Sequence, residues 1–449
     1  MGKLFGTDGI RGVANAHPMD VETAVSAGRA IARYFGAGAN GRNGTICIGQ
    51  DTRLSGDMIA QAVSAGICSA GMNVSLLGIV PTPAVAYLTH ASGAAAGVVI
   101  SASHNPFEDN GIKLFNSNGY KLNDKEEDEI EGLMESGSGH HTITSDQIGR
   151  VVSTQSASSK YLAFLQKAVP GLEVSGLKVV VDCSNGATFD VAPALFNGLG
   201  VTLFPIHCEP NGTNINDQCG SQHPERLAKE VVRLSADLGL AFDGDGDRLI
   251  AVDEKGVVLT GDQIMAICAK DLKNKGNLKN NKVVSTVMSN MGFLIAMKSL
   301  GIELFTTQVG DRYVMQEMVA RDAILGGEDS GHMIFRDCHT TGDGIMAALR
   351  LMDAIQSSGL PLSELSKVMT VFPQVLINVD VTSKPELESI PEIMDSIKAV
   401  ESRLGDQGRV LVRYSGTQLK CRVMVEGPTP ELTDQLCRQI VAAVEKNIG

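Results

Sequence analysis

The chain has 449 residues, a formal net charge of −13, 4% aromatic residues and no tryptophan. So acidic and aromatic-poor a composition excludes nucleic acid or an anionic membrane as the main partner, because both the basic footprint and the base-stacking platforms are missing. Hydrophobic residues at 43% and charged residues at 20% are ordinary for a globular protein, and at ~150 residues per domain the length calls for about three units.

The first residues, MGKLFGTDGIRG, contain neither an apolar signal region nor a cleavage site, and no apolar run approaches a membrane span, so the expected location is the cytoplasm. The strand-like run TICIG (45–49), the amphipathic DMIAQAVSAGICSAGM and NVSLLG (73–78) open a strand–helix–strand rhythm. It recurs at LKVVVDCS (177–184) with VAPALFNGLG, and at KVVSTVMS (282–289) with GFLIAMKSLG and IELFTT. This spacing predicts βαβ units and mostly parallel sheets covered on both faces. Three such blocks predict three α/β domains, although no residue-level repeat connects them.

A polar stretch from Glu135 to Ser159, holding His140 and His141, predicts the first boundary. Further boundaries fall near Asp253 to Thr260 and Lys367 to Gln374. The expected domains are 1–155, 156–254, 255–368 and 369–449, the last a smaller α+β unit with antiparallel strands. The nine cysteines form no CxxC pair, which favours reduced thiols over disulfides or a zinc site.

Chemistry concentrates in a few segments. In GVVISASHNPFEDNGIK (97–113) an apolar strand stops at a small-residue turn carrying Ser103 and His104, with Lys113 a few residues on. Such a turn delivers a hydroxyl to a concave surface, where it serves as a nucleophile if charge is arranged around it. In AFDGDGDRLI (241–250), Asp243, Asp245 and Asp247 alternate with glycine between two strand-like runs. Three carboxylates in so small a volume need a cation, and all-oxygen ligation suits Mg²⁺. An EF-hand is rejected because the sixth position is Arg248 rather than glycine and the flanks are not helical. Arg248 suits a phosphate contact beside the metal.

In GGEDSGH (326–332), Glu328 and Ser330 stand at alternate positions, a carboxylate and a hydroxyl able to take two neighbouring sugar hydroxyls. RYSGT (413–417) combines Arg413, Ser415, Gly416 and Thr417 in a composition suited to a phosphate dianion, with Arg422 on the next strand; Arg11 lies between glycines near the amino terminus.

In this order, FGTDGIRG (5–12), TPAVAYLT (82–89), SASHNP (101–106), PNGTNIN (210–216), DGDGDR (243–248), VGDRYV (309–314), GGEDSGH, TGDGI (341–345) and RYSGT resemble the α-D-phosphohexomutase superfamily over nearly the whole chain. FGTDGIRG and VGDRYV tip the resemblance towards bacterial members acting on glucosamine phosphates. The resemblance implies three related α/β domains with mixed and parallel sheets and a smaller C-terminal α+β domain, arranged around a central cleft. It implies a phosphoserine at Ser103, whose phosphorylation activity requires, and one Mg²⁺ on Ser103, Asp243, Asp245 and Asp247. Glu328 and Ser330 are implied as sugar contacts, Arg413, Ser415, Gly416 and Thr417 as a phosphate loop, and Arg11, His104, Lys113, Arg248 and His332 as neighbours of the transferring phosphate. The implied reaction interconverts glucosamine 6-phosphate and glucosamine 1-phosphate through a 1,6-bisphosphate, feeding UDP-N-acetylglucosamine synthesis. A homodimer is compatible with the sequence. The alternatives are a mannose- or glucose-phosphate mutase sharing every catalytic residue, a serine phosphatase, or a sugar-phosphate sensor.

Overall fold

The computed structural model describes residues 4–6, 8–36, 44–135, 143–415 and 419–449. The chain forms two compact units, Met1–Val287 with Ile302–Lys367, and Met288–Gly301 with Val368–Gly449.

The larger unit holds three sheets. The first contains β1 (Phe5–Gly6), β2 (Gly9–Val13), β3 (Thr45–Gln50), β4 (Asn73–Ile79), β5 (Ala96–Ile100), β6 (Asp109–Asn116) and β7 (Val151–Ser153), in the order β1-β2-β6-β5-β3-β4-β7. Strands β5, β3, β4 and β7 run parallel, and β6 returns antiparallel to β5. All five residues of β5 are buried, as expected of a parallel-core strand that reads as one apolar run. Helices α1 (Val21–Gly36), α2 (Gly56–Ser69), α3 (Thr82–Ala91) and α4 (Asp124–Glu135) belong to this block. At the crossing of α1 and α2 a Cβ on Gly28 would lie 2.2 Å from the Val63 carbonyl oxygen, so only glycine permits that approach.

The second sheet, β12-β11-β10-β8-β9, comprises β8 (Lys178–Asp182), β9 (Thr202–Ile206), β10 (Leu238–Phe242), β11 (Leu249–Asp253) and β12 (Val258–Leu259), with α5 (Ala157–Ala168), α6 (Val191–Gly198) and α7 (Glu225–Leu234). The third, β14-β13-β15-β16, comprises β13 (Lys282–Thr286), β14 (Glu303–Thr307), β15 (Leu325–Gly327) and β16 (Met333–Phe335). Its sequence neighbours are α8 (Gly261–Asn274), α9 (Met291–Ser299), α10 (Asp311–Arg321), α11 (Gly344–Ser358) and α12 (Leu362–Leu365).

The three sheets share a device that residue identity does not display. In each, a strand of the parallel core turns back as an antiparallel partner: β5 to β6, β10 to β11, and β15 to β16. The three turns between them carry Ser103, the aspartate triad and Glu328 with Ser330.

Helix α9 reads in the sequence as a crossover of the third block, yet it groups with the smaller unit. Hydrogen bonds account for this: Glu426 accepts from Met291 N at 2.8 Å, and Asn290 Oδ1 accepts from Phe372 N at 3.0 Å. The smaller unit is built on an antiparallel sheet, β17 (Gln374–Asp380), β18 (Arg409–Tyr414) and β19 (Lys420–Glu426), in the order β17-β19-β18. Helices α13 (Pro391–Leu404) and α14 (Pro430–Ile448) supply Val400, Leu436, Ile440 and Val444 to a core shared with Val423 and Val425 of β19. Among the described residues no helix is long and apolar enough to cross a membrane.

Candidate active site

Past the end of β5 the chain enters an unusual turn. Ser103 is buried and has φ +53°, a left-handed conformation that costs a non-glycine residue roughly 1–2 kcal/mol. Its surroundings over-determine it. Ser103 N donates to Ser101 Oγ at 2.9 Å, and Ser101 Oγ donates to Asp51 Oδ2 at 2.5 Å. Asp51 also holds Arg53 Nε at 2.9 Å, and the buried Arg53 guanidinium donates to the carbonyls of Ser103, Asn105 and Asp109 at 2.8–2.9 Å. From the second sheet's block, Asn216 Nδ2 donates to the Ser103 and Asn105 carbonyls, both at 2.9 Å. The hydroxyl is therefore fixed by its own backbone.

That hydroxyl donates to Asp243 Oδ2 at 2.6 Å, across 140 residues of sequence. The approach depends on glycine in the acidic turn, since a Cβ on Gly244 would stand 2.6 Å from the Ser103 carbonyl oxygen. Asp243, Asp245 and Asp247 are all buried, and one oxygen from each lies within 4.8 Å of the others. Burial, followed by the charges of Asp247 and Asp245, pushes the Asp243 carboxyl well above its ordinary range. Burial also opposes ionisation of Asp245, but the charge and hydrogen bond of Lys113 and the Thr82 hydroxyl outweigh it and hold that carboxyl low. Thr82, the first residue of α3, donates its hydroxyl to Asp245 Oδ2 at 2.6 Å and its N–H to the Asp245 carbonyl at 2.8 Å.

Two oxygens, Asp245 Oδ1 and Asp247 Oδ1, have no hydrogen-bond partner despite burial. Unmet buried acceptors of like charge fit a hard divalent cation with oxygen ligands. The residues present therefore suit a metal ion, with Ser103 beside it.

A chain of polar and ionic contacts runs around this centre. Lys113 Nζ lies 2.8 Å from Asp245 Oδ2 and 3.1 Å from Asp8 Oδ2. Asp8 also binds Arg11, and takes Lys121 Nζ at 2.6 Å. Lys121 reaches on to Asp311, whose Oδ2 lies 3.4 Å from His332 Nε2; His332 returns to Asp247 Oδ2 at 3.8 Å. Asp8 remains ionised well below the usual carboxylate range: burial works against it, and Lys113, Lys121 and Arg11 outweigh burial. Both His332 ring nitrogens are buried without hydrogen-bond partners.

Arg248 approaches Asp247 with Nε at 3.7 Å and donates its backbone N–H to Asp243 Oδ1 at 3.1 Å. His104 Nδ1 sits 3.4 Å from Ser103 Oγ, and burial with the charges of Arg248 and Arg11 lowers its pKa to about 4, so the imidazole is neutral near pH 7. The third turn joins the second directly, because Leu249 N donates to the Gly331 carbonyl at 3.0 Å. There Glu328 Oε1 accepts from Gly310 N at 3.0 Å, and Ser330 Oγ is buried without a partner. A cavity of about 370 Å³ is lined by Lys121, Asp311, Arg312, Tyr120 and Met315 among others, and neither Glu328, Ser330, Ser103 nor the triad lines it.

The larger unit thus brings together Ser103, Arg11, His104, Lys113, Arg248, His332, Glu328, Ser330 and the triad. In the smaller unit Arg413 and Arg422 face each other across β18 and β19. Burial and then the Arg422 charge lower the Arg413 pKa, the mark of two cations facing each other. Ser415 N donates to the Lys420 carbonyl, and its own carbonyl accepts from Lys384 Nζ at 2.6 Å. Gly416 and Thr417 lie outside the described residues, as do His140 and His141.

Residue-by-residue reading missed Asp8, Arg53, Thr82, Lys121, Asn216 and Asp311. Four of the six had a signal: Asp8, Thr82, Asn216 and Asp311 lie inside FGTDGIRG, TPAVAYLT, PNGTNIN and VGDRYV.

A second cluster of ligand-type side chains, Asp182, His207 and Cys219, has a different character. Asp182 accepts from Ser184 N at 2.8 Å, Gly220 N at 3.1 Å and His207 Nδ1 at 2.9 Å. Burial pushes the Cys219 thiol up to about 12. The carboxylate is satisfied by the loops it joins.

Four family models match successive segments of the chain. Those described as phosphoglucomutase/phosphomannomutase alpha/beta/alpha domains I, II and III match residues 2–140, 159–256 and 260–372, and the C-terminal domain of the same family matches 376–443. The chain belongs to the phosphoglucomutase/phosphomannomutase family. It is 53% identical to a phosphoglucosamine mutase of Syntrophus aciditrophicus and 53% identical to one of Syntrophobacter fumaroxidans, each match covering 100% of both chains. A solved phosphoglucomutase/phosphomannomutase family protein from Burkholderia thailandensis has the same fold, with a TM-score of 0.81 and 23% identity over 99% of this chain and 98% of that one.

Proposed function

We propose that this chain is an isomerase that interconverts glucosamine 6-phosphate and glucosamine 1-phosphate through phosphorylated Ser103 and glucosamine 1,6-bisphosphate. The observation that carries this reading is the 2.6 Å contact between Ser103 Oγ and Asp243, which seats the nucleophile at the acidic triad; the 53% identity to phosphoglucosamine mutases supports the substrate.

In the forward half-reaction the Ser103 Oγ–P bond breaks as a bond forms from that phosphorus to the sugar's O1, and the O1 proton ends on Ser103 Oγ. The bisphosphate turns, its 6-phosphate returns to Ser103 Oγ, and glucosamine 1-phosphate departs. Asp243, Asp245 and Asp247, with the Ser103 phosphate, would hold Mg²⁺, which offsets negative charge on a transferring phosphoryl group. The chain's own residues align and stabilise. Lys113 and Arg248 present positive charge at the phosphoryl oxygens. Neutral His104, with Nδ1 3.4 Å from Ser103 Oγ, passes that proton on to the departing serine oxygen. Glu328 and Ser330 receive sugar hydroxyls, and Ser330 Oγ has a hydrogen bond to give. In the smaller unit Arg413, Arg422 and Ser415 offer the positive charge and hydroxyl that suit a phosphate dianion, the one that is not reacting.

Turnover of glucosamine, glucose and mannose 6-phosphates, each primed with its 1,6-bisphosphate, tests the reading, with mass spectrometry of Ser103 alongside. Preference for glucosamine 6-phosphate and a phosphate on Ser103 are expected. Failure of every bisphosphate to phosphorylate Ser103, with no turnover, would sink it.

A further inference from the structure

A mutase that serves an amino sugar must tell an amino group from a hydroxyl at the second carbon, and the chemical difference there is an ammonium charge. The reading motif therefore needs a carboxylate beside the sugar contacts that is able to accept a new cation. We propose that Asp311 is that residue, taking the substrate ammonium on the carboxylate that Lys121 now holds; the inference rests on the function proposed above.

Position comes first. Asp311 opens α10, and the residue before it, Gly310, donates its N–H to Glu328 Oε1 at 3.0 Å. The backbone link places Asp311 next to the side chain assigned to the sugar's neighbouring hydroxyls. A sugar seated on Glu328 and Ser330 through its third and fourth carbons has its second carbon one bond away.

Chemistry comes next. An ammonium group already sits on Asp311, that of Lys121, so the carboxylate accepts such a donor in this setting. Lys121 has a second anchor in Asp8 at 2.6 Å, and can yield Asp311 without being left unpaired. The neighbouring carboxylates lack that freedom. Asp8 is shared by three cations, Asp245 is bound by Lys113 and Thr82, and Asp124 and Glu127 hold Arg312. A substrate hydroxyl makes a weaker bond to a carboxylate than an ammonium does, and cannot displace one.

The test is the ratio of kcat/KM for glucosamine 6-phosphate to that for glucose 6-phosphate, in the full chain primed with the matching bisphosphate. Asp311→Asn is expected to lower this ratio at least tenfold, and Asp311→Glu to restore part of it. An equal loss on both substrates would show Asp311 holding the site in general, and would overturn the proposal. A second measurement needs no variant: N-acetylglucosamine 6-phosphate lacks the ammonium, and the wild-type kcat/KM for it is expected at least tenfold below that for glucosamine 6-phosphate, with equal values counting against the proposal. A wild-type chain with no preference for glucosamine overturns the functional reading and this one together. A preference that Asp311→Asn preserves removes Asp311 alone.

Discussion

Two clusters in the larger unit look alike in composition and differ in bonding. Asp182, His207 and Cys219 bring a carboxylate, an imidazole and a thiol within ligand range, yet Asp182 takes three N–H donors and ties the ends of β8 and β9 to the loop at Gly220. Asp243, Asp245 and Asp247 are as deeply buried, but two of their oxygens have no hydrogen-bond partner, and the charges of Asp247 and Asp245 add to burial in raising the Asp243 pKa. Ligand-type residues alone do not distinguish a centre of chemistry from a structural latch. Unmet buried polar groups do, because a fold bears their desolvation cost only where a ligand or a reaction offsets it.

The largest effect that this contrast predicts falls on activity. Ser103→Ala removes the hydroxyl bonded to Asp243 in the unsatisfied cluster, and is expected to lower kcat/KM by at least ~1000-fold, about 4 kcal/mol of transition-state stabilisation, with an unchanged circular dichroism spectrum. Cys219→Ala removes one heteroatom from the satisfied cluster and is expected to keep kcat/KM within about threefold. Equal damage from both would erase the distinction.

Stability should respond in the opposite sense. Asp182→Asn leaves buried N–H donors short of an acceptor and is expected to cost about 3 kcal/mol in urea unfolding. Asp247→Asn relieves repulsion among buried carboxylates, so its midpoint without Mg²⁺ should equal or exceed the wild type's. Wild-type stability should rise by about 2.7 kcal/mol at a hundredfold excess of Mg²⁺ over its dissociation constant, and Asp247→Asn should lose that rise. An Asp182→Asn variant that abolishes the Mg²⁺ response, with Asp247→Asn retaining it, would reverse the assignments.

The sequence shows the three turns far better than what surrounds them. Ser103 and the triad are legible because local spacing creates their geometry: a strand end presents one hydroxyl, and alternating glycines converge three carboxylates. The α/β blocks are legible for a similar reason, the apolar run of a buried parallel strand. Lys121 is different. Its partners Asp8 and Asp311 stand 113 and 190 residues away, and neither pairing follows from any local pattern. Arg53 is equally silent in sequence, since its task is to hold the backbone of a loop around residue 105. Asp182 and Cys219 meet because the N–H of Gly220, the residue after Cys219, donates to Asp182 Oδ2 across 38 residues of sequence. Grouping of α9 with the C-terminal unit escapes prediction too, for chain order suggests a crossover and the deciding bonds run to Phe372 and Glu426.

Two buried histidines repeat the contrast on a smaller scale. His332 has neither ring nitrogen hydrogen-bonded beside Asp311 and Asp247, whereas His339 has both engaged: Nδ1 accepts from Thr340 N at 2.7 Å, which leaves Nε2 to donate to the Pro83 carbonyl at 3.0 Å. A second proton on His339 would set an N–H against the Thr340 N–H. Burial lowers its pKa to about 4, and the Pro83 bond only partly compensates. The unfolded chain takes up this proton below about pH 6.5 while the folded chain refuses it until about pH 4, so the stability His339 contributes is complete above pH 6.5 and falls away as pH drops through that window. At pH 5 the loss is about 2 kcal/mol. Asp343, raised to about 6 chiefly by burial, runs the other way, and His104 runs the same way. Both are present in His339→Gln, so the difference between the two proteins isolates this imidazole. Urea unfolding at pH 7 and pH 5 should show the variant losing about 2 kcal/mol less than the wild type between the two. Identical losses would mean that His339 titrates normally in the fold, and that two satisfied nitrogens do not by themselves exclude a proton.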